Sequence, residues 1–386
     1  MLCLVPAPAT KARGKQGVLV SDVLAREGFP GLEHTREEKF MANDAFLKAC
    51  RREKAGHTPV WLMRQAGRYM KEYMAIREKH SFLEMCRAPE LACEVTLQPV
   101  KAFELDAAII FADILLPLDG MGINLEFAKN EGPVISNPVR TRKDIDAVRI
   151  INPEEHVPYL LKAIKMVKAE LNGKVPLIGF SGSPFTLASY IIEGEGSKNY
   201  INTKKLMYSD PEGWKILMDK ISEVIIVYLE AQIDAGAQVV QLFDSWVGCL
   251  GPDDFRNYAM PYTKRIIDRV SKKGVPVINF GTNTGTYLDL VRQAGGDVIG
   301  VDWKVRLDDA WKTIGYDKAI QGNLDPVVLF GPVAEIRKRV KEIIDMAAGR
   351  PGHIFNLGHG IILGTPVDNV RAVIDSVHEF SVKAPV

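Results

Sequence analysis

At 386 residues and a formal net charge of +1, the chain can bury a sizeable core, as one large α/β domain or two smaller ones, but it carries no global field that would draw nucleic acid or an anionic membrane. Any attraction for an anion must come from cations gathered locally, which fits a pocket better than a basic surface. No apolar run approaches the ~20 residues of a membrane span, and the five cysteines, Cys3, Cys50, Cys86, Cys93 and Cys249, form no CxxC and no regular framework, as expected in a reducing compartment.

Residues 1–40 differ from the rest. An apolar stub, Met1 to Ala7, leads into Lys11, Arg13 and Lys15, with no acid before Asp22, a composition shared with transit peptides of plastids. Met41-Ala-Asn-Asp-Ala-Phe-Leu-Lys-Ala-Cys50 then reads as a fresh start, with Asn43 or Asp44 as N-cap of a short helix. Residues 1–40 are therefore expected to be a poorly ordered, dispensable extension and 41–386 a single domain of a cytoplasmic protein. Cys86 and Cys93, two helical turns apart, read as packing residues.

From Pro59 onward, short β-rich apolar runs alternate with longer amphipathic ones. Eight strands are predicted: Val60 to Met63, Ala107 to Ala112, Pro176 to Phe180, Val239 to Phe243, Pro276 to Phe280, Val298 to Val301, Ala319 to Gln321 and His353 to Leu357. Most are continuously apolar, as expected of strands buried on both faces of a parallel sheet. Between them the spacing predicts helices such as Glu90 to Phe103, Tyr159 to Leu171, Trp214 to Ala235, Asp254 to Lys272, Thr286 to Ala294 and Pro332 to Ala348, several closed by a glycine (Gly236, Gly274, Gly295, Gly349). Eight βα units in roughly 300 residues point to a (β/α)8 barrel. A Rossmann fold would show GxGxxG after its first strand, where this chain has Arg-Gln-Ala-Gly-Arg. Leu125 to Ala128 and Pro133 to Ile135, around Lys129-Asn-Glu-Gly132, predict a small β-hairpin inserted after the second strand.

In such a barrel the chemistry lies where strands exit. The first strand stops at Arg64, and Arg68 follows across Gly67, whose missing Cβ allows a tight turn. Two planar guanidinium forks there suggest an anion site, against the alternative that one pairs with a surface acid and the other is solvated. The second strand ends at Asp113 within Ile-Ile-Phe-Ala-Asp-Ile-Leu. A carboxylate there must either cap a backbone amide or meet a ligand rich in donors. Strand three runs into Ser181-Gly-Ser-Pro184 and a helix carrying Tyr190, strand four into Asp244-Ser245-Trp246, and strand eight into Gly358-His359-Gly360. His359 is either structural or approached closely by a ligand past its glycines.

Several constellations fail on spacing. Gly179-Phe-Ser-Gly-Ser183 ends in serine where a nucleophile elbow needs glycine, and Gly194-Glu-Gly-Ser-Lys198 is not a phosphate loop. The loop Gly281 to Gly285 reads as a plain βα turn more readily than as a phosphate cradle. With no HxxxH, no HExxH and no cysteine two residues after His359, no metal site is evident.

Taken in order, Met63-Arg-Gln-Ala-Gly-Arg-Tyr69, Ile110-Phe-Ala-Asp-Ile-Leu115, Gly179-Phe-Ser-Gly-Ser-Pro-Phe-Thr-Leu-Ala-Ser-Tyr190, Gln241-Leu-Phe-Asp-Ser245, Gln321-Gly-Asn-Leu-Asp-Pro326 and Asn356-Leu-Gly-His-Gly360 closely resemble the uroporphyrinogen decarboxylase family, from about Asn43 to the C-terminus. The resemblance implies a (β/α)8 barrel assembled as a homodimer. It implies removal of carbon dioxide from the four acetates of uroporphyrinogen III to give coproporphyrinogen III in porphyrin biosynthesis, with no metal and no organic cofactor. Carried over, Asp113 would be catalytic, accepting pyrrole N–H groups and stabilising developing positive charge. Arg64 would bind carboxylate and donate or position a proton. Gln65, Ala66, Gly67, Arg68, Arg77, Phe82, Tyr190, Ser245 and His359 would complete the substrate site. Asp244 stands where relatives carry glutamate. Corrinoid-linked methyltransferases share the architecture but need zinc-ligating cysteines that strand eight lacks, and a tetrapyrrole carrier would have no need of Asp113 and Arg64 together.

Overall fold

Seven parallel strands form one curled sheet, and an eighth segment closes it. The computed structural model describes residues 43–128 and 132–382. The strands are β1 (Ala108–Ile109), β2 (Leu125–Ala128), β3 (Gly132–Ile135), β4 (Leu177–Gly182), β5 (Val239–Asp244), β6 (Val277–Gly281), β7 (Val298–Gly300), β8 (Ala319–Gln321) and β9 (His353–Ile354). The sheet order is β1-β4-β5-β6-β7-β8-β9, all parallel, while β2 and β3 pair as an antiparallel hairpin. Val60 to Met63 takes the remaining place. Val60 bridges Phe355 in parallel, the Phe355 amide donates to the Pro59 carbonyl (2.8 Å), and the Asp106 amide donates to the Val60 carbonyl (2.9 Å). The curled sheet thus becomes a closed (β/α)8 barrel, which removes the edges an open sheet would expose.

All eight predicted strands fall in the barrel, and the hairpin stands after the second, although its turn, 129–131, and the expected extension over residues 1–40 lie outside the described residues. The second strand is shorter than its apolar run. The Ile110 amide still donates to Ile178 (3.0 Å), but that of Phe111 is claimed by the Thr96 hydroxyl (2.8 Å), which ends the ladder and turns the chain toward Asp113. The predicted 254–272 helix is observed as four pieces, with Phe255–Ala259 π-helical before Met260–Val270. Cys86 and Cys93 are both buried but sit on different helices, Phe82–Arg87 and Pro89–Ala102, because Ala88 is extended before Pro89.

The barrel interior is stratified. Phe46, Ala49 and Cys50 of helix Ala45–Cys50 pack with Ala107, Val239, Val298 and Ala319 at the strand starts and plug that end. Above them Trp61 Nε1 donates to Gln321 (3.0 Å), whose amide donates to Gln241 (3.1 Å). Phe180, Phe243 and Phe280 pack edge to face (5.5 and 5.9 Å between centroids) toward the strand exits. The core is therefore filled, and open space is left to the exit loops. No helix of the described residues is long and apolar enough to cross a membrane.

Candidate active site

Arg64 makes the first turn of the site, and does so with φ of +61°, a left-handed conformation uncommon for any residue other than glycine. Gly67 is needed for a different reason from the turn its position suggests: its φ is not left-handed, but a Cβ there would stand 3.2 Å from the Arg64 carbonyl. The Gln65 side chain is buried and spent on backbone, accepting from Leu62 (3.2 Å) and donating to Ala107 (3.2 Å), while its carbonyl accepts from the Tyr69 hydroxyl (2.6 Å). Gln65 is thus the frame of the turn. Among the described residues the amides of Ala66 and Gly67 have no acceptor, and neither Arg64 nor Arg68 has an acidic partner. Both arginines are exposed at the strand exit. The alternative in which one pairs with a surface acid is not realised among these residues.

Asp113 meets both readings open to it. Its Oδ1 accepts the Leu115 amide (2.8 Å), a local cap, while among the described residues Oδ2 has no donor. Burial pushes the carboxyl up to about 6, against the opposing pull of the Leu115 amide and the Arg64 charge. Beside it Phe111 packs against Phe82 (5.7 Å) and Tyr73 (5.9 Å), and Phe82 against Phe127 of the hairpin (5.0 Å). The inserted hairpin therefore supplies one end of an aromatic wall. Arg77, half-buried, donates to the His80 carbonyl (2.8 Å); burial holds the Tyr73 hydroxyl above its ordinary range, against the opposing charges of the nearby Arg77 and Arg68.

Tyr190, on helix Pro184–Glu193, stacks on Trp246 (3.6 Å, 27° between planes), and its hydroxyl is held above its ordinary range by burial, with the charge of Asp113 adding to the effect. The stack is anchored from below. The Thr186 hydroxyl donates to Asp244 (2.6 Å) and accepts the Trp246 amide (3.2 Å). Burial raises the Asp244 carboxyl to about 7. Ser245 offers its hydroxyl at the rim, its carbonyl being fixed by Thr282 (2.7 Å). His359 is oriented by the Gly360 amide, which donates to Nδ1 (2.7 Å), so Nε2 carries the proton and is a donor. Burial and the nearby Arg64 charge lower its pKa to about 4, which keeps the ring neutral at neutral pH.

The structure thus brings Asp113, Tyr190 and His359 each within electrostatic reach of Arg64, with Phe82 on the aromatic wall of Phe111, Arg68 and Arg77 near Tyr73 of that wall, and Ser245 next to Trp246. Trp246, Phe111, Thr186 and Asp244 belong to the same end but were not singled out from the sequence as site residues. Trp246 was within reach, since it follows Ser245 at a strand exit. The Gly281 to Gly285 loop is a βα turn, its Thr282 and Asn283 amides spent on Asp244 and Asp302.

At the opposite end, His57, Asp106 and His378 are the one group among the described residues whose His, Cys, Asp or Glu atoms come close enough to share a metal. The carboxylate is saturated: Asn43 (2.6 Å) and His57 (2.6 Å) bond Oδ1, the Val60 amide (2.7 Å) and His378 (2.9 Å) bond Oδ2. It ties three distant chain segments together.

The uroporphyrinogen decarboxylase (URO-D) family model matches residues 41–380. Uroporphyrinogen decarboxylase of Carboxydothermus hydrogenoformans is 64% identical over 339 residues, 88% of this chain and 97% of the relative. Those of Sorangium cellulosum and Geobacter sulfurreducens are 58% and 51% identical, covering 87% and 88% of this chain and 96% and 100% of their own. Among solved structures, a methyltransferase from Methanosarcina mazei superposes with a TM-score of 0.75 at 22% identity (88% of this chain, 98% of that one). A B12-independent methionine synthase from Shewanella gives 0.51 at 9% (85% and 95%). At such identities these two speak for the shared barrel alone.

Proposed function

The chain belongs to the uroporphyrinogen decarboxylase family and is an enzyme of porphyrin and haem biosynthesis; from that premise we propose how its own residues carry the reaction. The substrate is uroporphyrinogen III, an octacarboxylate. In each round a pyrrole carbon takes up a proton and the ring becomes a cation. The acetate C–CO2 bond then breaks with its electron pair flowing into that ring, a second proton adds to the freed methylene to complete the methyl group, and the first proton leaves the ring carbon to restore the neutral pyrrole. Four rounds give coproporphyrinogen III. The ring is its own electron sink, the task that an organic cofactor performs in other decarboxylases.

Asp113 accepts the pyrrole N–H groups through Oδ2 and, ionised, faces the positive charge as it develops. Holding such a charge in a preformed, partly desolvated site is worth several kcal/mol. Arg64, Arg68 and Arg77 hold side-chain carboxylates, with the open Ala66 and Gly67 amides adding donors. Tyr190 and Ser245 offer hydroxyls, His359 offers Nε2–H to a carboxylate, and Phe82 lines the apolar wall. Arg64 positions the proton delivered to the ring; a free guanidinium is too weak an acid to give one readily.

The single observation that carries this reading is Asp113, half-buried with one oxygen capped and the other open, within reach of the charge of Arg64, which has no acid of its own. The test is anaerobic incubation of EDTA-treated protein with uroporphyrinogen III, followed by oxidation and separation by carboxyl number. Seven-, six-, five- and four-carboxyl products are expected, and unchanged substrate with folded protein would overturn the reading.

A homodimer is supported by exposed apolar side chains on the segments that follow β7, β8 and β9: Trp303, Val327, Phe330, Val333, Ile362 and Leu363. Sedimentation should give twice the chain mass and fall to one chain in Phe330→Glu, Leu363→Glu. A cytoplasmic location accords with Cys50, Cys86, Cys93 and Cys249 all being free thiols.

A further inference from the structure

Beyond the residues already placed, one more cation stands at the strand-exit end without an acid. Lys304 follows β7 and is exposed. Its ammonium bonds the Asn283 side-chain oxygen and lies 5.6 Å from the Trp303 ring centroid, and no carboxylate reaches it within ion-pair distance among the described residues. The neighbouring Arg306 shows what this surface does with an ordinary cation: Asp308 and Asp309 clamp it. The nearest acid in sequence, Asp302, is buried and turns both oxygens to backbone, accepting the Asn283 amide (2.6 Å) and the Lys304 amide (3.0 Å). Asp302 therefore fixes the loop that carries the ammonium.

The loop is part of the mouth. A Cβ on Gly358, next to His359, would lie 2.5 Å from the Trp303 amide nitrogen, so the β7 loop packs directly on the His359 loop, and the Asp302 charge is felt at the His359 ring. On its other side Asn283 follows Thr282, whose hydroxyl holds the Ser245 carbonyl (2.7 Å). Lys304 thus stands between Ser245 and His359. Arg64 and Arg68 leave from the strand that closes the barrel, three strand positions further round from β7, past β8 and β9.

We infer that Lys304 is a further specificity-determining residue, binding a peripheral carboxylate of the tetrapyrrole across the mouth from Arg64 and Arg68. This rests on the proposed reaction. A macrocycle with carboxylates on every ring needs cations around its rim, and one whose existing partner is a neutral amide oxygen can exchange that bond for a charge-assisted one. Because the rim is solvated, the contact contributes to holding the substrate rather than to the bond-breaking step.

The test is steady-state kinetics of anaerobic uroporphyrinogen III consumption for wild type, Lys304→Met, which keeps the apolar stem beside Trp303, and Lys304→Arg, each with its melting temperature. Lys304→Met should raise KM roughly three- to fivefold, with the increase shrinking in high salt, and Lys304→Arg should restore it. The melting temperature should stay within a degree or so of wild type. An unchanged KM in Lys304→Met, or a loss confined to kcat and accompanied by a lowered melting temperature, would overturn the inference. Absence of turnover in the wild type would instead overturn the reading of the reaction.

Discussion

The stem of Arg64 lies across Gly360: a Cβ at position 360 would stand 2.5 Å from Arg64 Cδ and 2.7 Å from Cγ. The first strand's exit and the last strand's exit are therefore fitted to each other, with glycine as the only residue that leaves the guanidinium where it is. Gly360 also presents the amide that fixes His359 Nδ1. One small residue positions two of the side chains proposed to bind substrate.

Gly360→Ala should accordingly push Arg64 aside without disturbing the core. A displacement of about 1 Å at a reacting site can cost roughly a hundredfold, so a ten- to hundredfold fall in kcat/KM is expected. Circular dichroism and cooperative melting should match wild type. Wild-type kinetics in Gly360→Ala would show that the fit has no consequence.

The Asp106 cluster predicts a pH-dependent contribution to stability. Hydrogen bonding to Asp106 raises the His57 pKa above 6.5, so its share is fully present below 6.5 and is lost as pH rises through the folded value. Burial alone would raise the Asp106 carboxyl, but the two histidines override it and hold it well below 3.8, so its share is lost in acid. The wild-type advantage over His57→Gln should be greatest near pH 5, about 1 kcal/mol, and smaller at pH 8, as read from urea unfolding. An advantage that grows toward pH 8 would contradict this sign.

The predicted extension can be tested by truncation. A chain beginning at Met41 keeps Asn43, which bonds Asp106 (2.6 Å) and through its amide the Lys174 carbonyl (3.3 Å). It should retain wild-type kcat, KM and melting temperature. An unfolded or inactive product would show that residues 1–40 serve the barrel.

How much of this was legible beforehand depends on the physics of each feature. The strands were, because burial on both faces writes a continuous apolar run, and the strand exits at Arg64, Asp113, Ser245 and His359 followed from the barrel. Regular helices were legible too: the stretch Pro332 to Ala348 forms the helix Val333–Ala347, which buries Ile336, Val340, Ile343 and Ala347 at helical spacing. The Arg64 turn was not, since sequence reasoning assigns a tight turn to Gly67 and nothing local marks an arginine with positive φ. Nor was the π-helical break at Phe255–Ala259, or the union of His57, Asp106 and His378, which lies in tertiary structure across 272 residues between Asp106 and His378.

Asp113 should carry a stability cost at neutral pH. Its folded carboxyl stands at about 6 against an ordinary 3.8, so the fold favours the neutral form, and stability declines as pH rises between these values. Asp113→Asn should therefore melt a few degrees higher than wild type at pH 7 and no higher at pH 3.5. An equal or lower melting temperature at pH 7 would mean that the carboxylate is not strained in the free enzyme.

The most direct measurement is turnover of uroporphyrinogen III by Asp113→Asn, followed anaerobically by carboxyl count, with folding checked by melting. The amide keeps an oxygen for Leu115 but cannot present a negative charge to the ring. The expected result is folded protein whose kcat is lower by at least roughly a hundredfold. Accumulation of four-carboxyl product at near wild-type rate would contradict the central claim that the Asp113 charge stabilises the cationic ring.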